Sequence, residues 1–148
     1  MKASPTMQQV VQQLTAYHGV DLCTLATFLR LDLADHDSLV IDHVGGSQIA
    51  VSLCFSQEGE WLVEREVLFF IHAQVGWIPM EITQLPTGWT AYAKLDANQQ
   101  CLVRINHCGQ EKLAEFTERW ARKLLSQGWL EQSVPYLPWV PPARKQWP

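Results

Sequence analysis

The sequence predicts an α+β domain: an antiparallel sheet of five or six strands in mostly sequential order, with the N-terminal and C-terminal helices packed on one face. Three observations predict this class. The 148 residues are 47% hydrophobic and 18% charged, which is typical of a single globular domain. Apolar residues recur at helical spacing near both ends of the chain. Between residues 39 and 107 the apolar spacing is two, which is typical of strands.

The first helix begins at Ser4-Pro5, because proline fits the first turn of a helix, where its missing N–H is not needed. Apolar side chains then recur at helical spacing as far as Tyr17, and Gly19 is suited to ending the helix. Asp21 would cap a second, shorter helix that reaches Leu29. The acidic stretch that follows predicts a connector.

The spacing of two between apolar residues begins in a predicted hairpin, residues 39–55. A three-residue loop at positions 45–47 pairs Ile41 with Val51, which places the apolar residues of both strands on one face. Asp42 then points away from the core.

Further strands are predicted at residues 60–72 and 76–83, and a second hairpin joins residues 89–95 to residues 99–107. Pro79 cannot donate a ladder hydrogen bond, so we expect its strand to lie at a sheet edge or to contain a bulge.

The last helix, residues 110–127, has the clearest pattern, with an apolar stripe, i,i+4 charge pairs and Gly128 to end it. We therefore predict one domain, residues 1–131. The tail, residues 132–148, is rich in proline and tryptophan and would be extended, either packed on the domain or free.

Charge is unevenly distributed along the chain. The total is −4, from 11 basic and 15 acidic residues, which argues against direct binding of nucleic acid. Residues 21–66 contain nine acidic residues and two basic ones, a net charge of −7. Acids that share a surface attract basic partners. The sequence thus predicts an unknown protein partner that is basic or binds nucleic acid.

The compartment is predicted from signals that the sequence lacks. Residues 1–20 have no apolar secretory core, and no apolar run approaches the ~20 residues of a membrane span. We expect a cytoplasmic protein with no membrane partner. Its four cysteines would then be reduced and mostly buried.

Four acidic residues form the first candidate site. Glu60, Glu64 and Glu66 occupy even positions of one strand and would share one side of it, and Asp42 points outward from the hairpin. We predict that this acidic face binds a partner. The alternative is a metal-dependent phosphodiester hydrolase, in which the three glutamates hold Mg²⁺ through oxygen ligands.

Aromatic residues of the tail form the second candidate site. Tyr136, Trp139 and Trp147 lie among prolines, which lower the entropy lost when a segment docks. These side chains either bind a partner or cap the domain's own core. A homodimer formed through this aromatic tail is a further alternative.

No motif predicts a catalytic residue, a metal site or a cofactor. Cys101 and His107 would lie ~20 Å apart on one strand, too far to share a zinc ion, and the chain has no C-x-x-C pair. Gly45-Gly46 is placed in a hairpin, whereas a phosphate loop needs a strand-to-helix turn.

Several short stretches carry a resemblance to a known family. They are the hairpin 40–55, Gln57-Glu58-Gly59-Glu60, Glu64-Arg65-Glu66, Trp77-Ile78-Pro79, and residues 116–129. Over residues 39–130 the chain resembles a family of uncharacterised domains carried on bacterial plasmids and phages, sometimes encoded near anti-restriction proteins. That family usually has Asn-Gly-Asp and Asp-Pro-Glu at the two acidic motifs, whose charge this chain keeps. The resemblance implies a mobile-element context and no established activity.

These observations predict a small non-catalytic protein-binding module of mobile-element type. In the more specific form of this hypothesis, the acidic face imitates DNA phosphates and inhibits a defence protein. The alternatives are the metal-dependent hydrolase and a structural assembly factor that dimerises through the aromatic tail.

Overall fold

The computed structural model describes residues 1–23 and 27–136, which form three helices and nine strands. In chain order the elements are α1 (Pro5–Tyr17), β1 (Phe28–Asp32), β2 (Ser38–Gly45), β3 (Gln48–Gln57), β4 (Glu60–His72), β5 (Gly76–Gln84), β6 (Gly88–Ala91), β7 (Ala93–Leu95), β8 (Leu102–Ile105), α2 (His107–Gln127), α3 (Trp129–Gln132) and β9 (Val134–Pro135).

Seven of the strands form one antiparallel sheet in the order β6-β5-β4-β3-β2-β1-β9, and β7 pairs with β8 in a separate two-stranded sheet. The predicted α+β class, with helices from both ends of the chain, is confirmed. The predicted count of five or six strands is wrong, because β1 and β9 extend one edge of the main sheet.

Strand β1 contains Phe28 and Leu29, which the sequence placed at the end of a second helix. Leu29 and Leu31 pair with Ile41 and Leu39 of β2, and both leucines are buried, at 5% and 0% exposure. Arg30, between them, faces the other side of the sheet. The alternation of buried and less buried residues in β1 covers only five residues. In the sequence, the helical spacing of the surrounding leucines is the stronger pattern, so a helix was the predicted structure. Leu25, a member of the predicted helical stripe, lies outside the described residues.

The register of the β2–β3 hairpin is as predicted, with Ile41 opposite Val51. Its loop is tighter than expected, because Gly45 pairs with Gln48 and a bulge precedes it. Gly46 has a φ of 50°, in the left-handed region that favours glycine. Asp42 faces away from the helices, as predicted.

The face of the sheet that carries the helices, here called the first face, holds the main core. Met7 and Leu14 of α1 and Leu113 and Trp120 of α2 pack against apolar residues of β1 to β5. Trp129, at the start of α3, joins the same cluster and is 1% exposed. Burying side chains of this size stabilises the fold by about 1.5–3 kcal/mol each.

The opposite side, here called the second face, is covered by the β7–β8 hairpin over β4 and β5. Phe70, Ile78, Met80 and Ala93 form a second, smaller cluster there. The register shifts where Phe69 pairs with Pro79 and Leu68 with Glu81, which is the bulge that the proline predicted.

Side chains of α2 fix the start of α1. Glu118 accepts hydrogen bonds from the backbone N–H groups of Thr6 and Met7, which the first turn of a helix leaves unpaired. Gln110 is 0% exposed; it accepts from the N–H of Lys2 and donates to the carbonyl oxygens of Lys2 and Pro79. The start of the chain is thereby joined to α2 and β5.

Helix α2, predicted at residues 110–127, begins three residues earlier than predicted. Asn106 caps it, because its Oδ1 accepts from the N–H of Gly109 at 3.1 Å. Gly128 ends it with a φ of 89°. The chain then passes through α3 to β9, whose two residues pair with Leu31 and Asp32 of β1. Residues 137–148 lie outside the described residues.

Candidate functional site

A bulge in β4 divides the three glutamates of the predicted acidic face. Leu53 pairs with Arg65 and Cys54 pairs with Val63, so Glu64 has no partner in β3 and the alternation of β4 reverses at this residue. The predicted common side for Glu60, Glu64 and Glu66 is therefore wrong. The spacing of residues within β4 cannot reveal a bulge that the neighbouring strand defines.

The bulge sends these side chains to different surroundings. Arg65 lies on the first face, with its guanidinium carbon 4.9 Å from the centre of the Phe116 ring of α2. Glu66 lies on the second face, opposite Ser52. Glu60 lies at the β3–β4 turn, where it pairs with Gln57 and is exposed.

Glu64 lies beside Asp37, the last residue before β2. A hydrogen bond between the two carboxyl groups is the main cause that raises the pKa of Glu64 above its ordinary value of 4.5. Partial burial and the negative charge of Asp37 raise this pKa further, while Arg65 and Lys123 act in the opposite direction. The pair shows that negative charge is concentrated at this place.

We call the surroundings of this pair the acidic end. Because neighbouring strands are antiparallel, the β1–β2 loop and the β3–β4 turn lie at the same end of the sheet. The acidic end consists of five carboxylates from these loops and the start of β4, namely Asp35, Asp37, Glu58, Glu60 and Glu64.

Within residues 1–23 and 27–136, no salt bridge neutralises the charges of the acidic end. Within the described part of the chain, nitrogen–oxygen ion pairs within 4 Å are Lys2–Glu115 and Arg30–Asp32, and neither includes a residue of the acidic end. Three of its five residues, Asp35, Glu58 and Glu60, are exposed. A partner can therefore reach this charge without displacing an internal ion pair.

Two residues of the acidic end have positive φ angles, 65° at Asp35 and 53° at Glu58. Glu58 and Gly59 both have positive φ, the combination that two-residue hairpin turns require. Asparagine or glycine fills the first of these positions with less strain than glutamate. Turn geometry therefore does not explain the carboxylate of Glu58.

The other two predicted acidic residues lie on the second face. Asp42 pairs with Phe28 and Ala50, and Glu66 lies opposite Ser52. The acidic face expected from the sequence thus consists of two groups, Glu60 and Glu64 at the acidic end and Asp42 with Glu66 on the second face.

Arg30 is the basic centre of the second face. Its guanidinium carbon lies 4.4 Å from the centre of the Trp61 ring and 4.1 Å from that of Tyr136. Its Nε donates to Asp32 Oδ1 at 3.1 Å. No sequence pattern indicated this arrangement, because it joins β1, β4 and the residue after β9.

In the part of the chain that the structure describes, no group of side chains is arranged to bind a metal ion. No three His, Cys, Asp or Glu side chains among residues 1–23 and 27–136 are placed to hold one ion. Glu60, Glu64 and Glu66 do not converge, so the geometry that the hydrolase alternative requires is not met. Cys101, His107 and Cys108 do not form a zinc site either.

The four cysteines are free thiols, as expected, but only Cys54 is buried. The expectation that most would be buried is therefore wrong, since Cys23, Cys101 and Cys108 lie in exposed turns or at a helix start. Burial raises the pKa of Cys54 to about 11. This thiol is not an activated nucleophile.

The aromatic tail is described only at its beginning. Tyr136 is 46% exposed, its N–H donates to the carbonyl oxygen of Arg30 at 3.0 Å, and its ring lies on the Arg30 guanidinium. Trp139 and Trp147, the other two predicted tail residues, lie outside the described residues.

Comparisons of the chain with protein-family models, with curated proteins and with solved structures find no match. Within the described residues, no helix has the length and apolar character needed to cross a membrane.

Sequence reasoning missed Asp37 and Arg30 as members of these surfaces. Asp37 lies within the acidic stretch 21–66, whose net charge of −7 is the useful signal, but its pairing with Glu64 depends on the bulge. The surroundings of Arg30 are formed by β1, β4 and the residue after β9, which are far apart in sequence.

Proposed function

We propose that this protein is a non-catalytic protein-binding module that recognises a basic segment of another protein through the acidic end. The observation that carries the proposal is the concentration of five carboxylates in two adjacent loops and the start of β4, with no internal ion pair in the described chain. Like charges held close together repel, and a basic ligand relieves that repulsion.

The raised pKa of Glu64 supports the same proposal. The raised pKa means that the ionised form of Glu64 is disfavoured beside Asp37. A partner's lysine or arginine placed between the two carboxyl groups would favour the ionised form. Arginine suits this position best, because its guanidinium binds carboxylate oxygens through two parallel hydrogen bonds.

The class of partner follows from the sign of the charge. A net charge of −4 and an acidic binding surface repel phosphate groups, so the partner is a protein and not a nucleic acid. Proteins that bind DNA present basic surfaces, and these also accept carboxylates. An anti-defence role on a mobile element, in which the acidic end imitates DNA phosphates, is the specific form of this proposal.

Affinity capture from an extract of the organism that encodes the protein tests the proposal. The bait is the tagged full-length chain, and captured proteins are quantified by mass spectrometry. We expect one or a few basic proteins to be captured, and the variant Glu60→Gln/Glu64→Gln to capture them about tenfold less, since removing a close charge pair weakens binding by at least 1.4 kcal/mol.

The matched control is Glu111→Gln/Glu131→Gln, which removes the same charge from exposed positions of α2 and α3. The control should capture the basic proteins as well as the unchanged chain does. Equal capture by both double variants would contradict the proposal, and so would the recovery of acidic or neutral proteins alone.

A further inference from the structure

Strand β6 forms one edge of the main sheet. Its inner side pairs with β5, with Ile82 opposite Thr90 and Thr83 opposite Trp89. Within residues 1–23 and 27–136, no strand pairs with its outer side. Trp89 is 41% exposed, and Thr90 and Ala91 are exposed as well. Solvent therefore reaches this edge of the sheet.

The ladder between β4 and β5 fixes the direction of the backbone groups of β6. The N–H of Leu85, just after β5, donates to a carbonyl oxygen of β4 at 3.0 Å. Backbone groups of successive strand residues point to opposite sides, so those of Ile82 face β6 and its partner Thr90. The N–H and C=O groups of Trp89 and Ala91 therefore point away from the sheet.

This edge lacks the features that hinder pairing with a further strand. Sheet edges are commonly protected by charged side chains, by proline or by bulges. Residues 88–91 contain no charged residue and no proline, and β6 pairs with β5 without a register shift. At the opposite edge, β9 has two residues, and one of them, Pro135, has no N–H to donate. Of the two edges, β6 is the one that can accept another strand.

The local charge favours a second copy of the chain at this edge. Residues 76–95, which contain β5, β6 and β7, have one acidic residue, Glu81, and one basic residue, Lys94. Two such regions meet without repulsion, whereas two copies of the stretch 21–66, at −7 each, repel each other. A strongly charged partner of either sign gains no attraction at β6.

We propose that two copies of this chain pair antiparallel through β6 around a two-fold axis, so that the main sheet continues from one copy into the other. Strand β8 pairs with the chain from Ala93 onward, which limits the new pairing to residues up to Ala91. An antiparallel register that uses residues 87–91 places Trp89 at the axis.

The side chains of β6 suit this register. Trp89 Nε1 donates to Glu81 Oε1 at 2.7 Å, which fixes the ring on the second face beside β5. In the dimer this ring lies next to Trp89 of the second copy, and opposed aromatic side chains stabilise antiparallel strand pairs. Gly88 lies opposite Thr90 of the second copy, so small residues flank the two rings.

This proposal concerns a different surface from the acidic end and does not depend on the proposed function. It also differs from a homodimer formed through the aromatic tail. Its test uses the full-length chain alone, with no other protein present, so failure of one proposal leaves the other intact.

Sedimentation of the full-length chain over a range of concentrations tests the association. The paired segment is short, so we expect a transient dimer. Measurement up to about 1 mM detects a dimer of even weak affinity. A chain that stays monomeric over the whole range would overturn the proposal.

Hydrogen exchange of single amides, read by NMR, locates the interface. We expect the amide of Trp89 to exchange about threefold more slowly at about 1 mM than at 20-fold dilution, because the second copy supplies its acceptor. The amide of Thr90 already faces β5 and should change much less. A dimer without protection of the Trp89 amide would place the interface elsewhere and overturn the proposal.

A pair of lysine variants tests the edge directly. Trp89→Lys places two like charges opposite each other at the axis, so we expect the dissociation constant of the dimer to rise at least tenfold. Val103→Lys is the matched control, since Val103 is 61% exposed on β8, and it should leave the dissociation constant unchanged. The urea midpoint of each variant shows whether the domain stays folded.

Equal dissociation constants for the two folded variants would overturn the proposal, and so would a weaker dimer in Val103→Lys alone. The exchange of the Trp89 amide is measured on the unchanged chain. It therefore decides the proposal even where a variant does not fold.

Discussion

At the scale of single residues, Glu64 shows how one bulge decides what a side chain can do. The extra residue in β4 removes Glu64 from the ladder with β3 and brings it to Asp37. Without the bulge, Glu64 and Glu66 would share a side of the strand and resemble a metal site. With it, Glu64 becomes half of a carboxyl pair that binds a proton more tightly than an isolated glutamate.

The carboxyl pair predicts a pH-dependent stability. Because the pKa of Glu64 is higher in the folded protein than its ordinary 4.5, the folded state holds a proton that the unfolded chain releases. The contribution of this pair is therefore fully present below the ordinary value and is lost as pH rises through the raised pKa. Glu64→Gln removes this loss of stability. Near neutral pH the free energy of unfolding of the variant should therefore be about 0.5 kcal/mol higher than that of the unchanged chain, a small difference because the site is partly solvated.

Urea unfolding at acidic and at neutral pH measures this difference. Glu111→Gln, on the exposed side of α2, is the control and should follow the pH dependence of the unchanged chain. A Glu64→Gln variant whose stability relative to the unchanged chain does not rise with pH would show that the pair with Asp37 carries no repulsion.

At the scale of secondary-structure elements, the helices are joined by polar side chains as well as by the core. Gln110 of α2 reaches the backbone of Lys2 before α1 and that of Pro79 in β5, and its side chain is inaccessible to solvent. The carbonyl of Pro79 lies at the β5 bulge, where the ladder is irregular. Gln110 thus connects the N-terminal segment, α2 and the sheet.

Removing this amide should destabilise the domain. Gln110→Met keeps the volume of the side chain but leaves the groups that it bonded without partners, and we expect a loss of about 2 kcal/mol in the free energy of unfolding. Gln13→Met, at an exposed position of α1, should change stability by less than about 0.5 kcal/mol. Urea denaturation measures both. Similar values for the two variants would mean that the Gln110 hydrogen bonds do not stabilise the fold.

At the scale of the whole molecule, the long periodic segments were predictable and the local irregularities were not. The hairpin register with Ile41 opposite Val51 follows from the apolar pattern, since a one-residue slip would reverse every side chain. The bounds of β4 and the existence of α2 follow from the same kind of pattern. The strand β1 is too short to show its period, and β9 has only two residues.

The candidate site was predictable in charge and not in arrangement. The acidic stretch 21–66 contains every residue of the acidic end, because both of its loops fall inside it. Which carboxylates meet depends on the β4 bulge and on the antiparallel order that places the two loops together. These are properties of neighbouring strands, and the spacing within one strand does not contain them.

Cross-linking of carboxylates to lysines in the captured complex tests most directly whether the acidic end binds a basic partner. A zero-length carbodiimide reagent joins carboxylates and lysines that already form ion pairs, and mass spectrometry locates the joined residues. We expect cross-links from Glu58, Glu60 or Glu64 to lysines of the partner, and their loss at high salt. Cross-links confined to Glu111, Glu115 or Glu131 on the last two helices would contradict the proposed binding surface.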